Sequence, residues 1–350
     1  MTAKPLIIPI FLPAMGCRER CLFCNQKEAA EGPSSPSSVR NLIETTLAGI
    51  PHHKKNREKQ VAFYGGSFTA IHRDDQVRYL KEVQPFLVSG LVDSIRISTR
   101  PDALDEETLS VLKEYGVKTI EVGVQSMIDE VLFFARRGHR AADTVDAVSR
   151  LKEKDFEVGL QLMIGLPGDT CDRFLQTLDQ IIELKPDFVR IHPTIVLKGA
   201  PLEDLWRAGE YSPVPLSEAV QWLKKSIPKL EQSSIRVARI GLQPTKELER
   251  DYLAGPYHPA FHQLVDSAIF LDMATSLLQT AQKNGQAKFL CHPREVSNLR
   301  GQKNENILKL KKDFNLSEIL IEERKELPKG FLGLQTLEGV VSTDKMSLGS

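Results

Sequence analysis

Short apolar runs rich in β-branched residues alternate, over the first two thirds of the chain, with segments in which apolar side chains recur every three or four positions. The first pattern reads as strand and the second as helix. Residues 6–12, bounded by Pro13, form the first predicted strand, and Val39, Leu42, Ile43 and Leu47 follow at helical spacing. Residues 61–64, closed by Gly65-Gly66, predict a second strand, and Val77, Leu80 and Val83 a helix ending near Pro85. A third strand is expected over 94–98, then a helix opening at Asp105 as N-cap and closing at Gly116. Residues 117–124 and 158–165 read as the fourth and fifth strands, with a helix at about 142–154 between them. A helix over 169–184 carries Phe174, Leu178, Ile181 and Ile182 on one side, and 187–193 supplies a sixth strand.

Strands separated by helices predict parallel βαβ units. In such sheets chemistry gathers at the carboxyl ends of the strands. The segments that break the pattern all sit there: 13–26, 65–69, 99–102, 125–127, 166–169 and 194–200. After residue 200 the alternation lapses. Helices over 203–210 and 217–230 and a strand over 235–242 are expected, then one long amphipathic helix over 259–283 carrying Leu264, Ala268, Leu271 and Leu277. A strand at 288–291, a helix at 304–312 and strands near 319–322 and 330–334 complete a smaller α+β extension over 246–350. The sequence shows no internal repeat, and its one biased stretch is a Pro/Ser-rich turn at 32–38.

With 350 residues, 41% apolar and 26% charged, the chain has the composition of a globular protein with a substantial core. Lys plus Arg equals Asp plus Glu at 46 each, so net charge gives no case for a nucleic-acid or membrane partner. The basic runs at 52–59 and 300–312 read as solvated surface. No apolar run reaches the roughly 18 residues of a membrane span. The apolar opening is too short for a signal peptide, so the expected compartment is the cytoplasm.

Of five cysteines, Cys17, Cys21 and Cys24 form a C-x3-C-x2-C array, the mark of a metal or cluster site in a reducing compartment. Three thiolates leave the four-coordinate shell of a structural zinc one ligand short, and the first fifty residues contain no His. A 4Fe–4S cluster held by three cysteines keeps one iron open to a ligand. A structural zinc, or a cluster kept for electron transfer, is the competing account. Cys171 and Cys291 stand apart and are expected to serve packing.

The array, its place after the first strand, and Phe23 just before the last cysteine resemble the radical S-adenosylmethionine superfamily. The resemblance implies an α/β fold, a partial (β/α)6 TIM-like barrel over 1–245, with Cys17, Cys21 and Cys24 on the cluster and Phe23 near the adenine of S-adenosyl-L-methionine. Tyr64-Gly65-Gly66-Ser67-Phe68 looks like the family's glycine motif, whose backbone takes the methionyl ammonium; residues without Cβ permit such an approach. Arg100, in Thr99-Arg100-Pro101-Asp102, is the candidate for the cofactor carboxylate, with a surface salt bridge as the plainer account. Gln125 is implied at the ribose or the substrate, or as a buried polar residue at the rim. Gly165 and Leu166 are implied against the adenine, with Gly165 and Gly168 as plain strand-to-helix turn residues the alternative.

Glu121–Ser126, Arg137-Gly138-His139, and His192-Pro193-Thr194 through Lys198-Gly199 form an ordered series with the motifs above. The series resembles the radical domain of the Elongator catalytic subunit and its relatives, and also oxygen-independent coproporphyrinogen oxidases. Two features depart from Elongator: residues 246–350 carry no acetyl-CoA-binding glycine pattern, and the cysteine spacing is the compact form. His192 and Lys198 fit a substrate role or a rim role equally. Arg136, Arg137 and His139 read as a solvated rim in preference to phosphate or substrate contacts, and Tyr257, His258 and His262 as a helix start in preference to a lid. The implied activity is reductive cleavage of S-adenosylmethionine to a 5′-deoxyadenosyl radical that takes hydrogen from a substrate, with tRNA modification as its setting. An electron donor of the flavodoxin or ferredoxin type is implied as partner. The alternative is a non-catalytic iron–sulfur or zinc protein that keeps the fold.

Overall fold

Six parallel strands in sequential spatial order carry the first part of the computed structural model, which describes residues 5–17, 20–25, 35–52, 56–280 and 285–348. The first four residues, 18–19 and 26 of the cysteine segment, 32–34 of the Pro/Ser-rich turn, 53–55 of the first basic run and 281–283 of the long helix lie outside the described residues. The chain divides into two compact units, one of residues 1–213 with 244–255, the other of 214–243 with 256–350.

In the first unit β1 (Leu6–Phe11), α1 (Pro36–Ala48), β2 (Lys59–Tyr64), α2 (Arg73–Val88), β3 (Ser94–Thr99), α3 (Glu106–Glu114) and β4 (Val117–Gln125) follow one another. Then come α4 (Asp129–Phe134), α5 (Ala141–Glu153), β5 (Glu157–Ile164), α6 (Cys171–Leu184) and β6 (Phe188–Pro193). This is the expected α/β partial barrel. The strands pair in register, so that Gly123, Gln161 and Arg190 share one level, and Glu121, Gly159 and Phe188 the next. Because side chains alternate across a strand, the two faces divide cleanly. One face buries Val61, Phe63, Ile95, Ile97, Ile120, Val122, Val158, Leu160, Leu162, Val189 and Ile191, the apolar set from which the strands are legible. The other face carries Gln60, Tyr64, Arg96, Thr119, Glu121, Gln161 and Arg190.

Two elements differ from expectation. The helix α2 continues through Pro85 to Val88 and buries Phe86 beyond the proline. One lost hydrogen bond near the end of a helix costs less than that burial stabilises. The helix α4 has only six residues, too few to show a period; Asp129 and Glu130 in its first turn favour its amino end. The predicted N-cap Asp105 is observed, its side chain accepting from the Thr108 amide at 2.7 Å. Beyond β6 a two-stranded ribbon pairs β7 (Val196–Leu197) with Tyr252–Ala254, and α7 (Pro201–Arg207) follows β7.

The second unit contains helices Leu216–Gln232 and Phe261–Thr280 and a four-stranded sheet in the order Glu318–Glu323, Gln286–Cys291, Phe331–Thr336, Gly339–Asp344. The last strand, absent from the sequence reading, closes a hairpin antiparallel to its predecessor.

Candidate active site

The cysteine loop leaves β1 and lies directly on the loop that leaves β2. The Leu12 amide donates to the Tyr64 carbonyl at 2.7 Å, Ala14 to Gly65 at 2.9 Å, and the Ser67 amide returns a bond to Met15 at 2.9 Å. A Cβ on Gly16 would stand 2.2 Å from the Ser67 carbonyl oxygen, and one on Gly66 2.3 Å from that of Met15. Gly65 has φ +94°, where other residues are strained. The glycines therefore serve a backbone-to-backbone contact that fixes the cysteine loop, and Gly16 belongs to that contact although no motif drew attention to it. The Cys17 Sγ lies 4.0 Å from the Ser67 hydroxyl.

The second half of the loop is held from other directions. The Leu22 amide donates to Ala135 at 3.2 Å, just after α4, and the Leu22 carbonyl accepts from Leu202 at 2.8 Å, in α7. The Leu22 side chain packs with Val196, Leu202 and Tyr211. Asn25 reaches the Lys198 carbonyl at 3.3 Å and Arg20 the Gly199 carbonyl at 2.7 Å. Cys17 is exposed; Cys21 and Cys24 are half-buried.

Arg137 stands at the centre of the site. Its Nη1 lies 3.0 Å from the Cys21 Sγ, its Nη2 donates to the Gly123 carbonyl at 2.7 Å, and its guanidinium lies 5.9 Å from the centre of the Phe23 ring. The solvated rim expected for this segment holds for Arg136 alone: Arg137 and His139 are buried. The reason is that the turn after α4 points the alternate residues inward, where the Gly123 and Val124 carbonyls receive them. The His139 Nε2 lies 3.3 Å from the Val124 carbonyl, and burial, assisted by Arg137, pushes the imidazole down to about 4. Arg100 donates to the Arg137 carbonyl at 3.0 Å and forks onto the Asp102 carboxylate. Burial opposes the Arg100 charge, but that fork outweighs it and raises the guanidinium above its ordinary value, with Cys21 and Cys17 adding to the effect. Its pairing is thus local, with the arginine buried and Asp102 at the surface.

Gln125 ends β4 at a bulge with φ +69°, a conformation costing roughly 1–3 kcal/mol, and its Oε1 lies 3.5 Å from Gln161 Nε2. Gly165, at φ +75°, donates to Asp169 at 2.9 Å and accepts from the Tyr211 hydroxyl at 2.7 Å. Burial raises the Asp169 carboxyl to about 7. Leu166 is buried with Val131, Ala135 and Met163, and Phe23 packs on the same cluster. The structure therefore brings together Cys17, Cys21, Cys24, Phe23, Gly65, Gly66, Ser67, Arg100, Gln125, Gly165 and Leu166 on loops at one end of the sheet. His192 is half-buried on β6 and Lys198 exposed beyond it. Tyr257, His258 and His262 fall in the second unit, where the His258 Nδ1 accepts from the Ala260 amide as a helix-start contact. Cys291 is buried, its thiol pushed up to about 11 by that burial, which agrees with a packing role.

The residues present fit a three-cysteine cluster and its cofactor. Three thiols share one loop, the Arg137 guanidinium beside Cys21 offsets the negative charge that thiolate ligands carry, and glycines hold the loop where a Cβ has no room.

The model of the Radical SAM superfamily matches residues 11–181, and that of the Radical SAM C-terminal domain matches residues 186–270. A tRNA uridine(34) acetyltransferase of Methanocaldococcus jannaschii is 35% identical over 144 residues, which cover 39% of this chain and 27% of that protein. A protein of the same name from Dehalococcoides mccartyi is 31% identical over 266 residues, covering 67% of this chain and 58% of its own. The chain thus spans about a quarter of the first relative and somewhat over half of the second. Among solved structures, the archaeal Methanocaldococcus infernus Elp3 superposes with a TM-score of 0.61 at 21% identity, covering 77% of this chain and 63% of that one, a likeness of fold. The cysteine loop, the partial barrel and the two family models agree, and the chain belongs to the Radical SAM superfamily, whose members bind a 4Fe–4S cluster and S-adenosylmethionine.

Proposed function

We propose that this protein is a radical S-adenosylmethionine enzyme acting on tRNA, with Cys17, Cys21 and Cys24 as cluster ligands. When bound, the cluster and S-adenosylmethionine supply reductive cleavage of the sulfonium to a 5′-deoxyadenosyl radical able to take hydrogen from a substrate. The chain's own contribution is orientation and exclusion of water. The glycine contact at Gly16, Gly65 and Gly66 fixes the cysteine loop. Arg137 ties Cys21 to β4, while Phe23 and Leu166 line an apolar wall against which an adenine ring can lie. Gln125, held at the β4 bulge, and Arg100, Gly65 and Ser67 are the proposed contacts to the cofactor's ribose and methionyl groups. In this reading the barrel segment 1–245 does the chemistry, 246–350 is an extension of supporting role, and a flavodoxin- or ferredoxin-type protein supplies the electron.

The observation that carries the reading is the contact between the buried Arg137 and Cys21, because it links the cysteine loop to the carboxyl end of the sheet where a substrate would sit. Support for tRNA comes from the names of the relatives, whose lengths this chain covers only in part. The test is to incubate the reconstituted protein anaerobically with S-adenosylmethionine, dithionite and total tRNA, and then digest the RNA to nucleosides. A new nucleoside that requires S-adenosylmethionine is expected. An unchanged nucleoside profile alongside cofactor turnover would place the substrate in another class.

A further inference from the structure

Barrel interiors are ordinarily filled by layers of branched apolar side chains. The inner face of this sheet is polar instead, and it is layered. At the bottom the Phe188 ring lies over Gly159, where a Cβ would stand 2.2 Å from the ring, and the Arg96 guanidinium sits 5.1 Å from the ring centre. Arg96 is bonded through all three of its nitrogens: Nε and Nη2 reach Gln60 Oε1 at 3.0 and 2.8 Å, and Nη1 reaches Glu121 Oε1 at 2.7 Å. Glu121, 4% exposed, also accepts from the Tyr64 hydroxyl at 3.0 Å. Burial, with Glu121 adding to it, holds the Tyr64 phenol well above its ordinary range, so it remains a donor.

Arg190 lies one level nearer the carboxyl ends of the strands than Phe188, with His192 on the same face beyond it, and it differs from Arg96. Its Nε is paired with Glu121 Oε2 at 2.7 Å. Its Nη2 makes one long bond of 3.4 Å to the Tyr64 hydroxyl. A guanidinium has five N–H donors, so most of this fork is uncommitted among the described residues. Its side chain is 22% exposed, against 4% for Arg96 and Glu121 below it. On the sheet it is level with Gln161 and Gly123, and Gly123 is the residue whose carbonyl holds Arg137 against Cys21.

We infer that Arg190 is a substrate-reading residue, donating to a neutral oxygen acceptor, a ring or amide carbonyl, that enters the barrel above it. The neutrality of the ligand follows from the charges present. Arg96 and Arg190 face the carboxylates of Glu121 and of Glu157, the latter 3.8 Å from Arg96 Nη2, so the layer is balanced before a ligand arrives. An anionic group would go unneutralised there, whereas a carbonyl takes up free N–H donors at no charge cost. Glu121 holds the fork in place and is a positioning residue. The inference rests on the tRNA reading, since a nucleobase is the part of tRNA that offers such a carbonyl away from phosphate.

The test compares wild type, Arg190→Gln and Arg190→Lys as cluster-loaded proteins, reading the ratio of 5′-deoxyadenosine formed with total tRNA to that formed without it. Iron content and circular dichroism establish that each variant is folded and loaded; Arg190→Lys keeps the charge beside Glu121 and guards against loss of the fold in Arg190→Gln. The ratio is expected to fall at least tenfold in Arg190→Gln and by an intermediate factor in Arg190→Lys. Wild-type ratios in both folded variants would overturn the inference and leave the tRNA reading intact. No stimulation of the wild type by tRNA would overturn the tRNA reading, and this inference with it.

Discussion

At the scale of single residues, the site depends on contacts that small changes would break. An alanine at Gly66 would place a Cβ 2.3 Å from the Met15 carbonyl oxygen, and backbone cannot yield as a flexible side chain does. Gly66→Ala should therefore cost about 1–3 kcal/mol, visible as a lowered Tm of the apoprotein, and should loosen the cysteine loop. Arg137→Gln removes a charged donor from Cys21; bonds to charged groups contribute roughly 1.5–3 kcal/mol, so iron retained after reconstitution and desalting should fall by about tenfold or more. Iron retention equal to wild type would show that Arg137 does not support the cluster ligands. The three cysteines, Phe23 and the Gly65-Gly66 pair were legible in the sequence because their spacing carries chemistry. Arg137 was visible only as part of a motif read as rim, and Gly16 not at all, since what sets their roles is a partner 116 residues away in one case and a backbone oxygen on another loop in the other.

At the scale of elements, the βαβ alternation was readable because one face of each strand is continuously apolar. The polar inner face was not, since a sequence period does not say whether a charged strand position meets water, a ligand or another charge. Short or interrupted helices were misjudged for the same local reason: α4 is too brief to show a period, and Phe86 beyond Pro85 is held by packing that the proline conceals. Two titratable groups in the loops between these elements, Asp169 half-buried and His139 buried, make opposite contributions to the pH dependence of stability. The folded Asp169 carboxyl at about 7 lies above the usual value near 4, so its contribution is fully present at low pH and is lost as pH rises toward and through 7. The folded His139 at about 4 lies below its usual 6.5 or so, so its contribution is present above that value and is lost as pH falls toward and through 4. Asp169→Asn should flatten the decline of Tm between about pH 4 and 7, and His139→Gln the decline on acidification from about 6.5 to about 4. A Tm profile unmoved by both substitutions would contradict these assignments.

At the scale of the whole molecule, the first unit gathers onto one end of its parallel sheet the loops that follow β1 to β6, and those loops touch one another through backbone as well as through side chains. The cysteine loop alone is held by the loops after β2, α4 and β6. Such mutual bracing suits a site that must keep its reacting groups fixed while a radical is present. The second unit has its own sheet and helices, and the Radical SAM C-terminal domain model runs across residues of both units. No helix among the described residues is long and apolar enough to cross a membrane. The most direct measurement is mass-spectrometric detection of 5′-deoxyadenosine from anaerobically reconstituted protein given S-adenosylmethionine and dithionite, with Cys21→Ala alongside. Product from the wild type and none from the variant is the predicted result. No product from a wild type fully loaded with its cluster would contradict the radical chemistry and leave an iron–sulfur protein that keeps the fold.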